Sequence, residues 1–279
     1  MPTRMNIVRI DDSRDPRLAD YAGVREPARL REHGLFIAEG RFVVRRLVPL
    51  GHITLRSLLL NDAALKGLGD LLEETDRSGD VYVASPDVIT AATGFNMHRG
   101  CLALAERPAP STVAALVATS SLLTILERVI DPDNVGSVFR NAEAFGVDAV
   151  LLSPGCGDPF YRKALRTSSG AALVVPAGVA EPWPDAIDDL RANGVVVVAA
   201  TPDADAIDIK DFVATPAALG RIAVLLGTEG QGLTVEALAR ADVRIRIPMT
   251  GLLDSLNIAT AAGVVLHRLH EARRTRTAE

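Results

Sequence analysis

Three glycine-bearing stretches hold most of the residues whose types and spacing suit chemistry. The first is Asp131-Pro-Asp-Asn-Val-Gly-Ser-Val-Phe-Arg-Asn. Asn134 suits a helix N-cap, and Gly136 permits close backbone approach. Arg140 follows Asn134 by six positions, less than two helical turns, so it can stand near free N–H groups that favour an anion. The plain alternative is a capped helix with a surface arginine.

The second stretch, Leu225-Leu-Gly-Thr-Glu-Gly-Gln-Gly-Leu, places three glycines in six residues. It predicts a tight loop with exposed backbone amides, able to meet an adenine or a carboxylate. Glu229 inside it either braces the loop or takes part in chemistry. The Gly-Lys-Ser/Thr ending of a phosphate loop is absent, and no strand leads into a G-x-G-x-x-G, which argues against a nicotinamide cofactor. The third stretch runs from Ile245 through Pro248 and Gly251 to Asn257 and a helix of small residues. Ser255 or Asp254 is the expected cap of that helix. A nucleophilic Ser255 would need a G-x-S-x-G setting or a histidine partner, and neither accompanies it.

All three stretches leave strand-like runs. Apolar runs at 122–129, 149–152, 173–175, 195–200, 222–226 and 243–247 alternate with helical segments at 135–145, 185–192, 235–239 and 256–274. Such alternation predicts an α/β fold, a mainly parallel sheet with helices on both faces. Ligands of such sheets bind at the carboxyl ends of the strands. The residues up to about 105 predict a separate, smaller α/β domain, with strands near 34–40, 57–60, 81–84 and 100–105, an amphipathic helix over 42–48 and a second helix over 63–74. Two prolines between Glu106 and Thr112 mark a linker, giving expected domains at 1–108 and 118–279.

Composition narrows the classes. The chain is 48% hydrophobic and 23% charged, as a folded protein is. Cys101 and Cys156 alone cannot build a disulfide framework or a cysteine zinc site. The first residues lack a signal-peptide core, and the apolar runs are too short for a bilayer, so a cytoplasmic protein is expected, with no membrane partner. His267 and His270 read as exposed helix residues, so no metal is expected. A net charge of −5 disfavours nucleic acid, yet the first sixty residues hold eleven arginines against seven acidic residues. They include Arg25, Arg29, Arg31, Arg41, Arg45, Arg46 and Arg56, suited to phosphate or to solvated helix faces.

Together and in this order, the stretches resemble the signature motifs of the SpoU/TrmH family of SPOUT-class RNA methyltransferases. Asn134, Gly136 and Arg140 meet N-x-G-x-x-x-R; Gly227, Glu229, Gly232 and Leu233 meet G-x-E-x-x-G-L. The third motif, I-P-M-x-G-x-x-x-S-L-N, is met from Ile247 to Asn257, and Arg166-Thr-Ser-Ser-Gly-Ala is similar to a family stretch between the first two. The resemblance spans about 122–274. Phe36-Ile-Ala-Glu-Gly resembles the entry to the family's ribosomal-protein-like substrate-binding domain, while Arg99 replaces the glutamine of its H-Q-G motif beside His98.

This resemblance implies methyl transfer from S-adenosylmethionine to a ribose 2′-hydroxyl of RNA, with rRNA favoured over tRNA. It also implies a trefoil-knotted methyltransferase domain and a homodimer. Arg140 would activate or position the hydroxyl; an arginine stays protonated, which favours a phosphate clamp over a base. Asn134, Glu229, Ser255 and Asn257 would complete the catalytic set, with Asn141 in a lesser part. Gly227, Ile247 and Leu256 would hold the cofactor's adenosine, with Thr201 lining the same pocket. Two other readings stay open: a non-catalytic RNA-binding or ribosome-assembly protein, and a nucleotide- or NAD-dependent α/β enzyme.

Overall fold

Apolar runs buried on both faces must sit inside a layered sheet, and the chain builds one in each of two compact units. The computed structural model describes residues 5–75, 79–95, 100–251 and 253–277; His98 and Arg99 lie outside the described residues.

The first unit contains residues 1–109 and 160–173. Its strands are β1 (Asn6–Arg9), β2 (Leu35–Glu39), β3 (Leu55–Leu60), β4 (Asp80–Val83) and β5 (Cys101–Glu106), in the order β1-β4-β3-β5-β2. β5 runs antiparallel to β2 and β3, while β1, β4 and β3 are parallel. Tyr21 is fully buried in the core and shares a 2.8 Å hydrogen bond with Ser57 Oγ. The segment 160–173 is tied down within this unit. Arg162 Nη1 donates to the buried Glu39 carboxylate at 2.6 Å, and Phe160 meets Phe36 edge-on at 5.0 Å.

The second unit contains residues 110–159 and 174–279. Its strands are β6 (Leu122–Glu127), β7 (Ala149–Leu152), β8 (Ala177–Val179), β9 (Val196–Ala200), β10 (Ile207–Asp208), β11 (Ile222–Gly227) and β12 (Val243–Arg246). All pairings are parallel, in the order β10-β12-β9-β11-β6-β7-β8. Strand side chains alternate between faces. Leu123, Ile125, Val197 and Leu225 point to one face, under Leu116, Ile187, Leu190 and Ala237 from the helices Val113–Thr119, Ala186–Ala192 and Val235–Arg240. The helices Pro132–Ala144 and Ile258–Thr277 pack together, burying Val138, Phe139, Val265 and Leu269. Asn141 Nδ2 donates to Ala259 O at 2.8 Å, and the missing side chain of Gly263 leaves room for Asn141. Asn141 thus joins two helices.

Several sequence expectations change. Residues 173–175 are not a strand: a 3-10 turn covers Ala171–Leu173, and β8 starts only past Pro176, which offers no N–H to a ladder. The helix expected over 63–74 is two helices, Asp62–Gly67 and Gly69–Glu74, meeting at Leu68 between two glycines of low helix propensity. His270 is half-buried instead of exposed, its Nδ1 lying 3.2 Å from Phe145 O, while His267 stays exposed. Among the described residues no group of three or more His, Cys, Asp or Glu could hold a metal, and no helix is long and apolar enough to cross a membrane.

Candidate active site

Two caps differ from expectation, and both differences free side chains for the site. The Pro132–Ala144 helix starts earlier than 135, because Pro132 suits the first helical position. Its N-cap is Asp131, whose Oδ1 accepts from Asp133 N at 2.7 Å and Asn134 N at 3.3 Å. Asn134 therefore lies inside the first turn with its side chain available. The Ile258–Thr277 helix is capped by Asn257, not by Ser255 or Asp254. Asn257 Oδ1 accepts from Ala259 N at 2.9 Å and Thr260 N at 3.3 Å. Its amide nitrogen points the other way.

That nitrogen closes a triangle across the three stretches. Asn257 Nδ2 donates to Asn134 Oδ1 at 3.0 Å and lies 3.2 Å from Glu229 Oε1. Asn134 Nδ2 also donates to Glu229 Oε1. One carboxylate oxygen thus gathers two amides from the starts of two helices, where the helix dipoles also favour negative charge. Glu229 Oε2 has no partner among the described residues.

Beside this triangle a cleft of about 360 Å³ opens at the carboxyl ends of β9, β11 and β12. That is the location expected of a ligand in a parallel sheet. Leu226, Ile245, Ile258, Ala261 and Val265 give it apolar surface, and Gly227 to Leu233 form one wall. Thr201, Gly227, Ile247 and Leu256 all line it, as do Glu229 and Ser255. Gly227 has no space for a side chain: a Cβ there would come within 2.3 Å of Gly232 C and 2.4 Å of Leu233 N. The loop folds back because Gly232 N donates to Thr228 O at 2.9 Å, with Gly230 and Gly232 at φ +82° and +67°. Among the described residues Asp203, Glu229 and Asp254 are the lining carboxylates, and the one lining cation, Arg246, is engaged by Asp208 at 2.7 Å. An apolar slot with excess negative charge and backbone edges fits a flat nucleoside that carries cationic sulfonium and ammonium groups.

Arg140 stands apart. It is the ninth residue of its helix, exposed, about 9 Å along the axis from Asn134 and on a different face. It does not line the cleft and has no hydrogen-bond partner among the described residues. The expectation that Arg140 stands near its own helix start fails because the helix begins three residues sooner than 135.

Sequence reasoning missed Glu127. This carboxylate is fully buried at the end of β6. Its Oε1 accepts from Trp183 Nε1 at 2.8 Å and Thr234 Oγ1 at 2.6 Å, and its Oε2 accepts from Thr234 N at 2.8 Å. The available signal was a lone charge ending a buried strand, since buried charges persist only when well partnered.

The chain is also similar to known proteins over most of its length. A profile of the SpoU rRNA Methylase family matches residues 121–267. The chain is 40% identical over 270 residues to an uncharacterized tRNA/rRNA methyltransferase of Mycobacterium bovis, covering 95% of this chain and 92% of that one. It is 24% identical to the 23S rRNA (guanosine(2553)-2'-O)-methyltransferase RlmP of Bacillus subtilis, with 93% and 98% covered. Among solved structures it is similar to the AdoMet-bound rRNA methyltransferase from Sinorhizobium meliloti, at TM-score 0.79 and 27% identity over 96% of this chain and 98% of that one. The SpoU methyltransferase AviRb from Streptomyces viridochromogenes, in complex with AdoMet, gives TM-score 0.78 and 25% identity over 95% and 100%.

Proposed function

Because the chain belongs to the SpoU rRNA methylase family, we propose that it methylates the 2′-hydroxyl of a ribose in structured RNA, using S-adenosylmethionine. Ribosomal RNA is the favoured substrate over transfer RNA, in line with the 23S rRNA methyltransferase of Bacillus subtilis to which the chain is similar. The observation that carries the reading is the Asn134–Glu229–Asn257 triangle beside a negatively lined cleft at three strand ends.

When bound, S-adenosylmethionine supplies a methyl group already activated by its sulfonium. The protein's part is placement. The Gly227–Leu233 wall and the backbone at Ile247 and Leu256 hold the adenosine, with Thr201 at the same cleft. Glu229, Ser255 and the two asparagines hold the ribose hydroxyl and its proton, Glu229 through its Oε2. Holding the ribose hydroxyl in place beside the methyl donor would supply up to roughly 7–11 kcal/mol of the acceleration.

Arg140 is assigned to clamp the phosphate next to the target ribose. Its exposed place on the Pro132–Ala144 helix, away from its own cleft, supports service to the cleft of a second copy in a homodimer. A trefoil-knotted path belongs to the same reading; it is supported by β11 and β12 each entering between strands laid down earlier. The first unit is assigned to RNA binding, the second to methyl transfer, and the setting to the cytoplasm.

The test uses ribosomal RNA from a strain lacking the gene. Wild-type protein should methylate it at ribose 2′-oxygens; Arg140→Ala should lose at least about a hundredfold in turnover while binding S-adenosylmethionine normally. Turnover by the variant equal to wild type would remove Arg140 from the mechanism.

A further inference from the structure

The Gly227–Leu233 wall is a loop with both ends fixed at one residue. At its start, Gly227 pairs with Glu127 in the parallel β11–β6 ladder. At its end, Thr234 presents its backbone N and its Oγ1 to the Glu127 carboxylate, at 2.8 and 2.6 Å. Thr234 Oγ1 in turn accepts from Ala237 N at 3.2 Å, so the same contact orients the first turn of the Val235–Arg240 helix. The remaining donor on Glu127 is the indole N–H of Trp183, at 2.8 Å, and Trp183 is the single tryptophan of the chain. Glu127 itself is fully buried and does not line the cleft.

We propose that Glu127 is a positioning residue for the cofactor wall, and that it couples the state of that wall to Trp183. The inference rests on the reading that S-adenosylmethionine binds in this cleft. Its chemical basis is the acceptor count. Three donors converge on one side chain, and an ionised carboxylate, with two oxygens and no protons, accepts all of them. A glutamine has one acceptor oxygen, and its NH₂ would oppose either Thr234 N or the pair Trp183 Nε1 and Thr234 Oγ1. The conflict moves the end of the loop, and with it the Gly232–Leu233 backbone, which lies so close over Gly227 that no side chain would fit between them. Occupancy of the cleft presses on the same wall. Thr234 then shifts against Glu127, and the indole hydrogen bond changes with it.

The experiment titrates the full chain with S-adenosylhomocysteine, following tryptophan emission and heat in parallel. Wild-type emission should change with the same Kd that calorimetry gives. Glu127→Gln should raise that Kd by about tenfold or more, the scale expected when a charged, buried acceptor is lost, and should abolish the emission change. Thr234→Val removes the hydroxyl arm together with the cap on Ala237 N, keeps the Thr234 N–H on Glu127, and should fall between the two in Kd and emission; it decides the matter if Glu127→Gln does not fold. Glu127→Asp keeps the acceptors on a shorter arm and should recover part of both readouts.

Lowered thermal stability with wild-type Kd and emission response in the variants would mean a purely structural carboxylate, and would overturn the proposal. So would wild-type binding by calorimetry without any change at Trp183. Absence of binding to wild type by either method would instead sink the cofactor reading, and this inference with it.

Discussion

At the scale of single residues, Asn257 does two jobs with two ends of one amide. Its oxygen caps a helix; its nitrogen reaches Asn134 and Glu229. Asn257→Asp keeps a good cap, so any loss of unfolding free energy comes from its new carboxylate beside Glu229 and Asn134 Oδ1 and not from the helix start. It replaces the donor by a carboxylate facing Glu229, so turnover on ribosomal RNA should drop at least about tenfold. Asn257→Ala should cost about 1 kcal/mol of stability as well. Equal turnover by Asn257→Asp and wild type would reduce Asn257 to its capping role. Cys101 gives a pH prediction. Burial pushes its thiol up to about 12, with Glu39 adding and Arg41 opposing. An unfolded thiol ionises near ~8.5, so the unfolded state releases its proton first as pH rises. The contribution of Cys101 is therefore full below about pH 8.5 and lost toward about 12. Urea unfolding of wild type should weaken more steeply between about pH 9 and 11 than that of Cys101→Ala.

At the scale of elements, the glycine loop and the two helix starts form one assembly. Gly227→Ala places a Cβ against the backbone of Gly232 and Leu233, which cannot rotate aside as a side chain could. The loop must open, and affinity for S-adenosylhomocysteine measured by calorimetry should fall by about tenfold or more, with little change in the fold of the rest of the sheet. The caps explain how the site was both readable and misread. Asn134, Ser255 and Asn257 are all good capping residues by type. Propensity ranks them and leaves open which one the chain uses. Pro132 decided the first helix start by making Asp131 the cap, and Asn257 won the second because its oxygen meets two N–H groups.

At the scale of the whole molecule, the shared-site reading of Arg140 makes a specific demand. Arg140→Ala has an intact cleft, and Asn257→Asp has an intact arginine. Each alone should show the reduced turnover given above, and a mixture allowed to exchange subunits should regain activity, because a mixed dimer pairs one sound cleft with one sound arginine. No regain in a mixture shown by sedimentation to contain dimers would place Arg140 outside the partner's site. RNA affinity offers a second check. If the N-terminal arginines carry docking despite the net charge of −5, log affinity should fall linearly with log salt; a flat response would put docking elsewhere.

The amino-acid order alone determined the α/β class, the mainly parallel sheet and the three stretches that build the site, because burial on both strand faces and the need for glycine in tight loops leave direct marks on local sequence. It marked Asn134, Glu229 and Asn257 as a set only through motif resemblance, since residues 134 and 257 have no local relation. Folding decided which oxygens and nitrogens meet, which residues cap the helices, and that 160–173 packs with the first unit although it lies between strands of the second. It also decided the role of Glu127, whose three donors come from positions 56 and 107 residues away. Hydrogen bonds depend on distance and direction in space, and those are set by the packing of the whole sheet, not by neighbours along the chain.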